Sequence, residues 1–207
     1  APVAVPEAEA AALVDGLKPR HEGQRPVIAV IGLNDATETL DYIMSTGILR
    51  RADVADVVLV ATAEGPVKLY PVLAVEPDMT ATQFDAAHPD GADYVIVPAM
   101  SRDDDPAVMA WLKAQAQKGS MVIGVCAGAK VVAAAGLLAD RKATTHWFYK
   151  SEFLKRDPTI SLVADRRFVV DGPVATTTGI SAAIPFALTL IEAIAGREKA
   201  VATAASK

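Results

Sequence analysis

Cys126, the only cysteine of the sequence, is the residue best placed to act as a nucleophile. It directly follows the apolar run 121–125, and small residues surround it at Gly124, Ala127 and Gly128. Such residues permit a sharp strand-to-helix turn that holds the intervening side chain over the sheet edge, as in the nucleophile elbow of hydrolases. We expect the helix dipole and free N–H groups after this turn to lower the thiol pKa and to stabilise an oxyanion. The pattern predicts a reactive thiol and preferred alkylation and oxidation at this site.

An ordinary buried thiol is the alternative, because unpaired cysteine is among the most buried residue types. One cysteine and three histidines supply neither an internal disulfide nor a usual structural zinc site. The acidic run 103–105 could suggest a metal ligand, but it directly precedes Pro106 and a predicted helix, where carboxylates suit the dipole and the cap. The sequence therefore predicts no metal and no cofactor.

The composition is that of an acidic chain with a large aliphatic core. Its 207 residues are 52% hydrophobic but only 5% aromatic, and the formal net charge is -5. No basic stripe is available to neutralise a phosphate backbone, so we expect no direct contact with nucleic acid. Gly, Pro or a charge interrupts each apolar run before about 18 residues, so no membrane span is expected. The expected partner is a small-molecule substrate or ligand.

Apolar runs of strand length alternate with segments of helical periodicity along most of the chain. This alternation predicts an α/β domain with a flavodoxin-like, doubly wound, mostly parallel sheet and helices on both faces. Four strands should be buried on both faces, at residues 27–33, 56–63, 94–98 and 121–125. Ligands of such sheets bind beyond the carboxyl ends of the strands, at the loops 34–41, 99–105, 126–128 and 144–146.

We divide the sequence into an Ala/Pro-rich lead-in at 1–25, one domain at 26–197 and a tail at 198–207. A β hairpin is expected around Pro71, at residues 67–70 and 72–76. Helices are expected at residues 7–17, 36–52, 80–87, 106–117, 126 to about 138, 147–155 and 181–195. The first residues do not themselves have the pattern of a targeting segment. We expect an exported or periplasmic protein from which such a segment has been cleaved, or otherwise a cytoplasmic protein.

The region around the cysteine resembles a known family. The segments 124–129 (GVCAGA), 134–138 (AAGLL) and 141–147 (RKATTHW) are similar to the cysteine region of the ThiJ/PfpI superfamily. The similarity is strongest to its branch of isonitrile hydratase and of the amidotransferase-like sensor domains of AraC-type regulators. The segment 177–183 (TTGISAA) resembles the family loop before the last helix. The resemblance extends over about residues 27–195.

The resemblance also implies site residues. Asp41 matches the acidic residue that the family places against the cysteine, and Glu38, one helical turn earlier, is the alternative if the register shifts. His146 follows Cys126 by 20 residues, as the family histidine follows its nucleophile. Each could instead be structural: Asp41 as a solvated helix residue and His146 as a hydrogen-bonded core ring.

The loops that form the family's oxyanion hole correspond to Ala127 and Gly128 after the cysteine, and to Ala99 and Met100 after the strand at 94–98. This sequence differs from the family at two of these positions. The family has paired glycines where Ala99 and Met100 stand, and isonitrile hydratase has threonine where Ala127 stands.

The resemblance implies two classes of function. The first is a cysteine-dependent hydrolase, hydratase or lyase that acts on a small electrophile, with Cys126, Asp41 and His146 as catalytic residues. The second is a non-catalytic ligand-sensing domain related to AraC-type regulators. A glutamine amidotransferase would need a His-x-Glu pair near the end of the sequence, and none is present there. The resemblance further implies a homodimer.

Overall fold

The computed structural model describes residues 6–206, in which eight helices, twelve strands and one 3-10 turn at Trp147–Tyr149 form. The helices are α1 Glu7–Gly16, α2 Thr39–Ala52, α3 Ala81–Ala87, α4 Pro106–Gln117, α5 Gly128–Ala134, α6 Lys150–Arg156, α7 Ile180–Ala195 and α8 Arg197–Ala205. The strands are β1 Val27–Gly32, β2 Thr37–Glu38, β3 Asp56–Ala61, β4 Val67–Tyr70, β5 Leu73–Val75, β6 Met79–Thr80, β7 Tyr94–Val97, β8 Met121–Gly124, β9 Lys142–Ala143, β10 Ser161–Leu162, β11 Phe168–Asp171 and β12 Val174–Thr177. Residues 1–5 of the predicted lead-in and Lys207 of the predicted tail lie outside the described part.

The central sheet has seven strands in the order β11-β12-β8-β7-β1-β3-β6. All neighbouring pairs in this sheet are parallel except β11 with β12. The chain runs from β1 outward through β3 and β6, and then returns to the other side of β1 with β7 and β8. The strand order therefore reverses between β1 and β7, and ligands of doubly wound sheets bind beyond the carboxyl ends of strands at such a point.

Helices cover both faces of this sheet, as predicted, and the strand β1 shows how. Ala29 and Ile31 belong to the core formed with α3, α4 and α5, whereas Ile28 and Val30 belong to the core formed with α2 and α7. Successive side chains of a strand point to opposite faces, so a strand buried on both faces is a continuous apolar run. The doubly wound, mostly parallel fold expected from the sequence is confirmed.

Two helices near the cysteine turn and the first strand differ in length from the expectation. The predicted helix to residue 138 ends as α5 at Ala134, because Gly136 adopts a left-handed conformation with φ of 78°. The N–H of Leu137 then bonds to the carbonyl of Val132 at 3.3 Å, which closes a Schellman motif. Helix α2 begins at Thr39 rather than at residue 36, because residues 37 and 38 form β2 and pair with β4.

The segment predicted as a C-terminal tail is helical up to Ala205. Gly196, with φ of 95°, separates α8 from α7, and α8 folds back against α7 and α2 with Ala200 and Thr203 buried. This helix was not predicted, because its residues are mostly small or charged and show little apolar periodicity. No helix in residues 6–206 is long and apolar enough to cross a membrane.

Candidate functional site

Cys126 lies on the tight connection between β8 and α5, with a positive φ of 58°. This left-handed conformation is unfavourable for a residue with a side chain, so neighbouring contacts must maintain it. The N–H of Cys126 donates to Thr177 Oγ1 at 3.1 Å, and Thr145 Oγ1 donates to the carbonyl of Cys126 at 3.2 Å. Both threonines are buried. These bonds hold the strained turn from two sides, and neither threonine was among the predicted site residues.

The two glycines beside the cysteine are required because other backbone segments approach them closely. A Cβ atom added to Gly128 would lie 2.1 Å from the carbonyl oxygen of Val97, and one added to Gly124 would lie 2.8 Å from the Cα of Ala129. Real Cβ atoms do not approach other heavy atoms this closely. Gly128 is therefore required by packing of the turn against the end of β7, and Gly124 by the close approach of the start of α5.

Gly128→Ala is expected to destabilise the fold by about 3 kcal/mol or more, because the added methyl group must displace backbone of β7. Gly47→Ala is the matched control, since a Cβ there meets nothing within 4 Å and Gly47 lies inside α2. That control should stabilise the protein by roughly 0.5–1 kcal/mol. Urea unfolding of both variants measures the difference. Equal free energies of unfolding for the two variants would show that the turn accommodates the added methyl group without loss of stability.

Asp41 lies in the first turn of α2, beyond the carboxyl end of β1, and is only 3% exposed. Its Oδ2 accepts a hydrogen bond of 2.9 Å from the N–H of Ala99, which follows β7. Its own N–H donates to Glu38 Oε2 at 2.8 Å, so Glu38 caps the helix while Asp41 is buried. Burial raises the pKa of Asp41 to about 7, against the opposing effect of the Ala99 N–H.

The surroundings of Cys126 raise the pKa of its thiol, whereas the turn alone led us to expect a lowered pKa. Burial raises the pKa of the thiol to about 11, and the negative charge of Asp41 acts in the same direction. The N–H of Ala127 lowers this pKa but does not compensate. The expected depression of the thiol pKa is therefore wrong, because burial and a nearby carboxylate outweigh the hydrogen bond from the Ala127 N–H.

Cys126 and Asp41 consequently compete for one negative charge. An ionised Asp41 keeps the thiol protonated, and a neutral Asp41 removes that repulsion. Because the pKa of Asp41 is about 7, the carboxyl group exchanges its proton near neutral pH while the thiol retains its own. Such a pair can pass a proton from sulfur to carboxylate when the sulfur forms a bond.

His146 is half-buried and lines the same cavity as Cys126 and Asp41. Its Nδ1 accepts a hydrogen bond of 3.2 Å from the N–H of Phe148, which leaves Nε2 as the nitrogen that carries or exchanges a proton. Gly179 precedes α7, and a Cβ there would lie 3.3 Å from the ring of His146.

The loop residues predicted for an oxyanion hole have different roles. Ala127 lines the cavity and its N–H interacts with the thiol, whereas the N–H of Gly128 is committed to the carbonyl of Val125 at 2.8 Å. The N–H of Ala99 is committed to Asp41, and Met100 is buried in the core rather than among the cavity residues. Ala127 thus supplies the backbone donor of the site, and Ala99 instead positions the carboxyl group.

The cavity that joins these groups has a volume of about 760 Å³. It is lined by the acidic residues Glu38, Asp41 and Asp165, by Cys126, His146 and Lys150, and also by a group of aromatic side chains that were not among the predicted site residues. These are Tyr70, Trp147, Phe148 and Tyr149. A run of three consecutive aromatic residues directly after His146, in a chain with few aromatics, was the available signal.

The acidic run before α4 has structural roles. Asp105 caps α4 by accepting hydrogen bonds from the N–H groups of Ala107 and Val108, and Asp103 pairs with Arg156. Within residues 6–206, no group of three or more Asp, Glu, His or Cys side chains is arranged to hold a metal ion.

Comparison with known sequences places this fold and site in a family. The sequence pattern of the DJ-1/PfpI family matches residues 27–193. Isonitrile hydratase of Pseudomonas putida is 38% identical over 98 residues, which are 47% of this chain and 41% of that enzyme. The transcriptional regulator CdhR of Pseudomonas aeruginosa is 38% identical over 96 residues, which are 46% of this chain and 28% of the regulator. The chain thus matches less than half of the length of these two relatives.

Other relatives match along most of their length. The glutathione-independent glyoxalase DJR-1.2 of Caenorhabditis elegans is 25% identical over 180 residues, which are 85% of this chain and 92% of that protein. The crystal structure of Drosophila melanogaster DJ-1beta superposes with a TM-score of 0.77 at 25% identity, over 87% of this chain and 96% of that one. The resemblance seen in the cysteine region thus extends over the whole domain, and the chain belongs to the DJ-1/PfpI family.

Proposed function

We propose that this protein is a cysteine-dependent hydratase, hydrolase or lyase that acts on a small electrophile such as a carbonyl compound or an isonitrile. The observation that carries the proposal is the pair formed by Cys126, on a strained turn, and Asp41, a buried carboxyl group with a pKa of about 7, in one open cavity. A base of this pKa both takes up and returns a proton at neutral pH.

In the first step, the sulfur of Cys126 attacks the electrophilic carbon and its proton passes to Asp41. A C–S bond forms while the π electrons of a carbonyl move onto its oxygen, where the N–H of Ala127 stabilises the negative charge. This order of events forms no free thiolate, which agrees with a thiol pKa of about 11.

The second step returns the proton from Asp41. With an isonitrile, the carbon that has accepted sulfur takes up this proton and becomes a thioimidate, which water hydrolyses to a formamide and the free thiol. With a 2-oxoaldehyde, the attack gives a hemithioacetal, the proton on its carbon moves to the neighbouring carbonyl carbon to give a 2-hydroxy thioester, and water hydrolyses this to a 2-hydroxy acid and the free thiol. His146 assists by exchanging a proton at Nε2 with the oxygen or nitrogen of the substrate.

The names of the relatives support this choice of substrates. One is an isonitrile hydratase and another a glutathione-independent glyoxalase. The test is a panel of isonitriles, aldehydes and 2-oxoaldehydes, with products identified by mass spectrometry. Turnover of any member that requires Cys126 supports the proposal, and no turnover of any class rejects it.

A ligand-sensing domain is the second candidate, because the transcriptional regulator CdhR is 38% identical to this chain over 96 residues. In that case the cavity binds a ligand without converting it. Binding of panel members by calorimetry, with the compound recovered unchanged, favours this function over catalysis.

A homodimer also stays a prediction. The exposed apolar residues Leu40 and Ile184 border a shallow groove between α2, α7 and α8. Light scattering at micromolar concentration should give about twice the chain mass of 21.6 kDa. A monomeric mass contradicts this prediction.

A further inference from the structure

The aromatic wall, defined as Tyr70, Trp147, Phe148 and Tyr149, lines the cavity that contains Cys126. Trp147 and Phe148 are 78% and 67% exposed, which is unusual for such large apolar side chains. Aromatic rings carry a large apolar surface, and a patch of them beside a cavity marks a surface on which another molecule lies.

The rings of this wall contact one another in a defined arrangement. His146 stacks on Trp147 with ring centroids 5.8 Å apart, and Phe148 meets Tyr149 edge to face at 5.1 Å. The histidine of the site is therefore in contact with the wall. A group bound on Trp147 would lie beside the reacting atoms rather than in a separate pocket.

Lys130 attaches the wall to the helix that follows the cysteine. Its Nζ lies 4.4 Å from the ring centroid of Tyr149 and pairs with Glu152 at 2.8 Å. The side chain of Lys130 is only 13% exposed, so this contact is shielded from water. The cation–π contact supports Tyr149, the ion pair fixes Lys130, and Tyr149 in turn supports Phe148 through their edge-to-face contact.

The size of the cavity exceeds what a two- or three-carbon substrate needs. Its volume is about 760 Å³, which is within the range of roughly 300–1,000 Å³ for pockets that bury drug-sized ligands. Tyr70 adds a hydrogen-bond donor to the wall, because burial and the charges of Glu38 and Asp41 raise the pKa of its phenol to about 12 and keep it neutral. The cavity therefore combines a reactive group with apolar space and a polar donor.

We propose, on the basis of the function proposed above, that the substrate carries a flat apolar substituent of about phenyl size. This substituent lies against Trp147 and Phe148 while the electrophilic carbon reaches Cys126. Removing such a ring from water supplies the binding free energy, and stacking on Trp147 orients the reactive carbon.

Binding to a Cys126→Ser variant tests this proposal without turnover. Calorimetry with phenylacetamide and acetamide, two unreactive amides that differ by the ring, should show at least about tenfold tighter binding of phenylacetamide. Adding Trp147→Ala to that variant should reduce the preference for phenylacetamide over acetamide by at least about fivefold. Val201→Ala, at a 60% exposed apolar residue of α8 outside the cavity, should leave it unchanged.

Turnover separates this proposal from the proposed function. Benzyl isonitrile and phenylglyoxal should have higher kcat/KM than methyl isonitrile and methylglyoxal, and Trp147→Ala should reduce this ratio mainly through KM. Turnover without any preference for the ring would overturn the substrate class and leave the catalytic function standing.

Preferential binding of phenylacetamide without turnover of any compound would retain the aromatic site and reject catalysis. If Trp147→Ala instead halves the mass in light scattering and leaves the preference intact, the wall is a contact between two copies and the proposal fails.

Discussion

Cys126→Ala is expected to reduce turnover of any substrate found in the panel by at least about 10³-fold. The sulfur is the atom that forms the covalent bond in the proposed reaction, and alanine leaves no atom to replace it. Cys126→Ser should be similarly inactive, because a buried hydroxyl beside Asp41 is a much weaker nucleophile than a thiol. Steady-state kinetics with product analysis measures both variants.

The fold of these variants serves as the control for this prediction. Alanine and serine must adopt the same positive φ of 58° as the cysteine, so neither changes the strain of the turn. Circular dichroism and thermal unfolding should therefore match the wild type closely. A well-folded Cys126→Ala variant with activity within about tenfold of wild type would reject the cysteine mechanism.

The parts of the structure predicted from sequence are those with a strong local signal. Residues 27–32 and 121–124 are uninterrupted apolar runs, which is how strands buried on both faces appear, and Pro106 marks the first residue of α4. The crowded turn at Cys126 was also evident, because only small residues fit where β8 and α5 meet the end of β7.

The parts that sequence could not supply depend on tertiary contacts. The pKa of the thiol was predicted in the wrong direction, since the extent of burial and the charge of Asp41 are known only from the folded arrangement. The role of Ala99 also differs from the prediction, because its N–H donates to Asp41 in the first turn of α2, 58 residues earlier in the chain. Tyr70 reaches the cavity through a small second sheet, β2-β4-β5, that brings a distant hairpin beside α2.

Asp41→Asn is expected to change activity, thiol reactivity and stability together. The variant loses the base that accepts the thiol proton, so kcat/KM should fall by about 10²- to 10⁴-fold near pH 8. In the wild type, kcat/KM should rise with pH through about 7 as Asp41 ionises, and this rise should be absent in the variant. Glu38→Gln is the matched control, since it removes the neighbouring acid but can still accept the Asp41 N–H, and it should retain the rise.

The rate at which iodoacetamide alkylates Cys126 also depends on the charge of Asp41. With a pKa of about 11, wild-type Cys126 should react at least about tenfold more slowly than free cysteine near pH 8. Asp41→Asn removes a negative charge that raises this pKa, so the variant should react faster than the wild type. Slower alkylation of the variant would mean that the carboxyl group favours the thiolate, which contradicts the electrostatics described here.

The stability of Asp41→Asn gives a reading that does not depend on any substrate. The pKa of Asp41 is raised from 3.8 to about 7 on folding, so its contribution is fully retained below about pH 4 and is lost as pH rises through 7. This loss is of the order of 4 kcal/mol, because the pKa rises by about three units and one pKa unit corresponds to about 1.4 kcal/mol. Asparagine has no such dependence and its side-chain oxygen can still accept the Ala99 N–H. The free energy of unfolding of the variant relative to wild type should therefore be higher near pH 8 than near pH 4, as measured by urea denaturation at both values. A difference that does not change with pH would show that folding does not raise the pKa of Asp41, and the expected rise of kcat/KM through pH 7 would then need another titrating group.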